Sequence, residues 1–155
     1  MTYNDILRRF RYAVDLNDEA LMAVFSDAGV AVDRDQLKAL LAREEDEGYE
    51  ECSETMMKHF LVGLVRYTRG VPPDGAPPLF TPHERLTNNL ILKALRIALE
   101  MHEQDMLHLF DLAGFPLSRS ELSAVFRKKG HKNYKPCGDQ MLRNFLKGLT
   151  AHNRS

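Results

Sequence analysis

The sequence predicts an all-α protein: two tandem, pseudo-symmetric helical repeats of about four helices each, joined by a Pro-rich linker. Three observations carry this reading. First, the chain aligns with itself without a gap, Asn4–Gly70 on Asn89–Ser155, with about 19 of roughly 67 positions identical, far above the roughly one in twenty expected by chance. Second, apolar residues recur at helical spacing in both copies, and no segment shows the alternation of a half-buried strand. Third, residues 70–82 hold five of the seven prolines, a composition that excludes helix and favours extended polyproline geometry. The predicted boundaries are 1–70 for the first repeat, 71–88 for the linker and 89–155 for the second repeat.

Within a repeat the elements follow in order. Helix one spans roughly Asn4–Leu16, with Ile6, Phe10, Ala13 and Val14 on its apolar face and Ile91, Leu95, Ala98 and Leu99 repeating it. Asn4 and Asn89 stand at its start, where a side-chain oxygen can accept an orphan backbone N–H. Arg11/Asp15 and Arg96/Glu100 are spaced as i,i+4 surface ion pairs in both copies. Helix two spans roughly Asp18–Ala28 and stops at Gly29, matched by Gly114, as expected of a position needing positive φ. Helix three opens on a repeated capping box, Asp33-x-x-Gln36 and Ser118-x-x-Glu121. It is expected to run on toward Gly48 in the first copy and toward Gly130–Asn133 in the second. Gly48 and Asn133 read as one turn written twice, because Gly and Asn enter the left-handed region most cheaply. Helix four runs from Ser53 to about Thr68 and from about Asp139 to the C-terminus. Gly63 and Gly148 lie inside it, each costing about 1 kcal/mol relative to Ala. Their retention implies close backbone approach, expected against helix four of the other copy or helix one of its own.

The 155 residues are 44% hydrophobic and 28% charged with a net charge of −1, values of an ordinary globular chain. A copy of this size buries a smaller share of its surface than a full domain, so docking of the two copies is expected. No apolar run reaches the length of a bilayer span, and the opening Met1-Thr2-Tyr3-Asn4-Asp5 has no apolar core of a secretory signal. These features predict a cytoplasmic protein that makes no use of a membrane. Cys52 and Cys137 are expected to be reduced, buried thiols, since no C-x-x-C spacing is present.

The candidate site comes from charge. Up to Phe80 there are 9 Lys+Arg against 15 Asp+Glu, and from Thr81 on 12 against 7, so the halves carry opposite net charge. The contrast concentrates at one aligned place. The first copy carries Glu44, Glu45, Asp46, Glu47, Glu50 and Glu51 around Tyr49 and ahead of Cys52. The second carries Lys128, Lys129, His131, Lys132 and Lys135 around Tyr134 and ahead of Cys137. Three readings compete: solvated faces that diverged, attraction between copies or subunits, and a basic loop that holds an anion. Helix two, its turn and helix three also have the spacing of a helix-turn-helix. In the second copy Arg119, Ser120, Ser123, Arg127, Lys128 and Lys129 would lie on the third helix and reach phosphates or base edges. Asp33, Asp35, Glu44 and Glu45 deny the first copy that role. The six histidines are unmatched between copies, and no P-loop, H-E-x-x-H or G-x-S-x-G is present. No catalytic residue, cofactor or metal ligand is therefore predicted. The expected function is a non-enzymatic interaction or regulatory module working with a protein partner or by self-association. The alternative is a nucleic-acid-binding protein using the basic second repeat, with Arg119, Arg127, Lys128, Lys129, His131, Lys132 and Lys135 as contacts.

The stretches Asn4-Asp5-Ile6-Leu7-Arg8, Asn88-Asn89-Leu90-Ile91-Leu92-Lys93 and Leu95-Arg96-Ile97-Ala98 resemble the opening signatures of the two repeats of the YehS-like proteins. Arg43-Glu44-Glu45-Asp46-Glu47-Gly48, His131-Lys132-Asn133-Tyr134 and the run from Cys137-Gly138-Asp139-Gln140 to Gly148-Leu149 are similar too. The resemblance covers nearly the whole chain. It implies a small cytosolic bacterial protein built on a duplicated domain of unknown function, and it supplies no catalytic residue, ligand or pathway.

Overall fold

The computed structural model describes residues 1–81 and 83–154; Pro82, in the Pro-rich segment, and the terminal Ser155 lie outside the described residues. Among the described residues there are eight α-helices and no strand. They are α1 (Tyr3–Val14), α2 (Asp18–Asp27), α3 (Arg34–Leu41), α4 (Glu54–Arg69), α5 (Asn88–Ala98), α6 (Glu103–Leu112), α7 (Arg119–Phe126) and α8 (Asp139–Arg154). The chain divides into two compact units, Met1–Leu86 and Thr87–Ser155. The duplicated sequence thus forms two four-helix repeats.

Short polar side chains start six of the eight helices, α1 to α5 and α7. Thr2 caps α1 in a full capping box with Asp5, and Thr87 caps α5 by accepting from Leu90 N. Ser118 and Glu121 form the expected reciprocal box on α7, but the box expected at Asp33 is only half formed: Asp33 accepts from Gln36 N, and the Gln36 amide does not reach back to it. Each such cap is worth about 1 kcal/mol. Helices α2 and α6 end in the same motif. Gly29 and Gly114 take φ +80° and +74°, and the next residues, Val30 and Phe115, donate back to Phe25 O and Phe110 O at 3.0 and 2.9 Å. That pairing satisfies carbonyls the helix leaves open. Helices α1 and α5 end on non-glycine residues in the left-handed region, Asp15 and Glu100 at φ 55° and 53°. The i,i+4 partners expected for Arg11 and Arg96 therefore stand where the helix has turned away. Arg11 reaches forward to Asp18 at 2.7 Å.

In each unit α2 packs on α4, or α6 on α8, around aromatic rings. Phe60 stands between Phe10 and Phe25 in the first unit, with centroids 6.1 and 5.7 Å away. In the second, Phe110 stands between Phe145 and Phe115, at 6.1 and 6.3 Å. Phe10 is replaced by Leu95 while Val30 is replaced by Phe115. The third ring thus enters from the turn after α6 instead of from the first helix. Gly63 and Gly148 permit the packing: a Cβ on either would lie 1.9 Å from a carbonyl oxygen, Val24 O or Leu109 O. The close approach expected at these glycines is present, but the partner is helix two of the same repeat.

The Pro-rich segment is not uniformly extended. Ala76 N donates to Pro73 O at 3.1 Å, with Gly75 at φ +85°, forming a turn. Its end returns to α4: Lys58 Nζ donates to Glu84 O, and Leu86 N donates to Glu54 Oε1 at 3.0 Å. Leu86 itself is buried.

Candidate functional site

Helix α3 is shorter than the sequence suggests. It ends at Leu41, and Ala42 is extended at ψ 160°. The last carbonyls of a helix lack intrahelical donors, and here they receive them from distant residues. Leu40 O accepts from Asn4 Nδ2 at 2.8 Å and Ala39 O from Glu50 N at 3.1 Å. The second repeat is the same: Val125 O accepts from Asn89 Nδ2 at 2.9 Å and Ala124 O from Lys135 N at 3.0 Å. Asn4 and Asn89 are therefore not helix caps. They sit inside the first turn of α1 and α5 with buried side chains. Each amide nitrogen also donates to a loop carbonyl, Glu50 O or Lys135 O, at 2.8 and 2.9 Å. Each amide oxygen accepts from a cysteine N–H, Cys52 or Cys137, at 2.9 Å. One asparagine thus ties the end of helix three to both ends of the final loop stretch.

The matched cysteines complete this frame through backbone and volume. Both are free and buried, and burial, the largest cause, pushes each thiol up to about 12. They are protonated at neutral pH and poor nucleophiles. Tyr49 Oη donates to Asn4 Oδ1 at 3.3 Å, and its phenol is raised by desolvation and then by Glu44 and Glu51. The loop turns match as well. Asp46 N and His131 N donate to Arg43 O and Lys128 O, and Tyr49 N and Tyr134 N donate to Asp46 O and His131 O, at 2.9–3.3 Å. They part at two positions: Gly48 takes positive φ where Asn133 does not, and Gly130 does where its counterpart Glu45 does not.

On this common frame the charges are displayed outward. Glu44, Glu45, Asp46, Glu47, Glu50 and Glu51 are exposed on the α3–α4 loop. Arg127, Lys128, Lys129, His131, Lys132 and Lys135 are exposed on the α7–α8 loop. Arg127, Lys128 and Lys129 do not lie on α7, which ends at Phe126. Arg119 is at the opposite end of α7, about 12 Å away along a helix of this length. The expected third-helix set is thus divided, with Arg119, Ser120 and Ser123 on the helix and the other cations on the loop.

The structure also shows a feature without a sequence signal. Each repeat has a groove between the end of its first helix, the start of its second and the end of its third. In the first unit it measures about 780 Å³ and includes Arg11, Asp18, Arg34, Lys38 and Asp46. There Asp18 pairs with Arg11 at 2.7 Å and with Arg34 at 3.8 Å. In the second unit it measures about 280 Å³ and is lined by Arg96, Glu103, Leu122, Ser123, Phe126 and Arg127. Arg96 here donates from Nε to Met101 O at 3.1 Å and lies 4.7 Å over the Phe126 ring.

Fold and loops together define a class: a duplicated all-helical protein with one loop frame carrying opposite charges. A family model described as "Protein of unknown function (DUF1456)" matches twice, over residues 3–70 and 88–155, and the chain belongs to that family. It is 37% identical over 151 residues to the "Uncharacterized protein YehS" of Escherichia coli (strain K12), covering 97% of this chain and 96% of that protein. No solved structure matches. No helix among the described residues is long and apolar enough to cross a membrane.

Proposed function

We propose that the protein is a non-enzymatic interaction module whose contact surface is the α3–α4 loop together with the α7–α8 loop. One observation supports this above others: the same buried Asn-to-Cys frame is used twice while the exposed residues on it reverse sign. Crowding like charges on a short loop raises self-repulsion, which an oppositely charged surface relieves. The simplest partner carrying both surfaces is a second copy of this chain, acidic loop to basic loop.

The test is sedimentation velocity at low and high salt on the parent and on the triple variant Lys128→Glu, Lys129→Glu, Lys132→Glu. Exposed charge attraction fades as the screening length falls from about 30 Å at 0.01 M to about 3 Å at 1 M salt. The parent should associate with rising concentration at low salt only, and the variant should not. Identical sedimentation of parent and variant at low salt would overturn the proposal. Nucleic-acid binding is the competing outcome. It would show as saturable RNA or DNA binding at about 50 mM salt whose salt slope falls when Lys128 is neutralised. The division of the cations between α7 and the following loop argues against a helix that reads a groove.

A further inference from the structure

We propose that the groove of the second unit, bounded by the end of α5, the start of α6 and the end of α7, binds a small phosphate monoester that carries a hydroxyl or ammonium group beside the phosphate. The inference uses the geometry of this unit alone and does not depend on loop association. Arg96 is half-buried in the groove wall. Its Nε is held by Met101 O and its face by the Phe126 ring. Stacking of this kind pre-orients a guanidinium and leaves its edge for a planar, two-point grip on an oxyanion. The Nη groups of Arg96 make no hydrogen bond or ion pair among the described residues, nor does the guanidinium of Arg127, which also lines the groove. Ser123, which also lines the groove, adds a hydroxyl donor.

The first unit shows how such a groove looks when it is neutralised from within. Arg11, the counterpart of Arg96, is paired with Asp18. Leu41 stands in place of Phe126 and Ala42 in place of Arg127. The second unit has therefore gained Arg127 and an aromatic platform, while Ser123 stands where the first unit has Lys38. Glu103, at the position of Asp18, lines the groove without pairing with Arg96. A bare anion would be opposed by this carboxylate, whereas a ligand with a donor next to its phosphate would use both. The volume of about 280 Å³ is just below the about 300 Å³ at which sites for drug-sized molecules begin, which suits a phosphate and a few further atoms.

The test is calorimetric titration of the full chain with glycerol 3-phosphate, inorganic phosphate and glycerol. The parent should bind glycerol 3-phosphate saturably, inorganic phosphate more weakly and glycerol undetectably. Arg127→Gln, on an exposed loop, should weaken glycerol 3-phosphate by about tenfold, the loss of one charged hydrogen-bonding group. Glu103→Gln should tighten inorganic phosphate about threefold, as relief of a like-charge contact at a half-buried carboxylate. Arg11→Gln in the first unit should change nothing. Absence of saturable binding up to about 20 mM ligand, or equal affinity in the parent and Arg127→Gln, would overturn the proposal.

Discussion

Replacing Gly63 with alanine sets two effects of opposite sign against each other. Helix propensity alone makes alanine about 1 kcal/mol better inside α4. The new Cβ, however, would lie 1.9 Å from Val24 O and 2.9 Å from Val24 C. Ordinary contact begins near 3.4 Å, so the shortfall is about 1.5 Å, and a main-chain carbonyl has no rotamer by which to escape. The two helices must separate, and the interface they share includes Phe25 and Phe60. Overpacking costs about 1–3 kcal/mol or more, and parting these rings adds a cavity cost. We expect a net loss of about 2–3 kcal/mol, which lowers the Tm of a chain this size by about 4–12 °C. Gly148→Ala should behave alike, since its Cβ would meet Leu109 O at the same distance. Gly138→Ala, with open space around it, should stay within about 0.5 kcal/mol of the parent. Thermal melts followed by far-UV circular dichroism measure all three. A Gly63→Ala chain that melts at or above the parent temperature would refute the packing of α4 on α2.

Further outcomes follow from the loop frame. Asn4→Ala or Asn89→Ala removes a side chain that bonds two carbonyls and one N–H; urea unfolding should show a loss of about 2–4 kcal/mol, and a loss below the error of the fit would contradict the frame. Both thiols should resist Ellman's reagent at pH 8 in the folded chain and react once it is unfolded. The buried cysteines also fix an alkaline limit. Their folded values are raised from 9.0 to about 12, so the unfolded chain releases protons first. This contribution is intact below about pH 9 and is lost as pH rises toward 12. Melts in that range should fall less steeply for Cys52→Ala than for the parent; equal slopes would show that thiol burial is not responsible.

What could be read from the sequence was whatever is written locally. The caps at Asp33 and Ser118 and the glycine stops at Gly29 and Gly114 involve residues a few positions apart, and the structure has them where the signals place them. Asn4 and Asn89 misled because a polar side chain near a helix start has a strong local role. Their actual bonds reach 36, 46 and 48 residues along the chain. The same distant bonds end α3 and α7, which is why charged residues compatible with a helix, such as Arg43 and Glu44, lie beyond it. The reason for Gly63 was legible, since a helical glycine implies close approach, but periodicity names no partner. The stacking of Arg96 on Phe126 had no signal: the spacing of Arg96 pointed to Glu100 as its partner, and 30 positions separate Arg96 from Phe126.

The most direct test of the account exchanges the two loops, placing the Lys129–Pro136 sequence between Arg43 and Cys52 and the Glu44–Glu51 sequence between Lys128 and Cys137. Because Asn4 and Asn89 hold equivalent carbonyls and cysteine N–H groups, the exchanged chain should fold. It should also show the same salt-sensitive association in sedimentation velocity as the parent. A chain that fails to fold would contradict the common frame. One that folds but sediments as a monomer at low salt where the parent associates would contradict the role given to the charges.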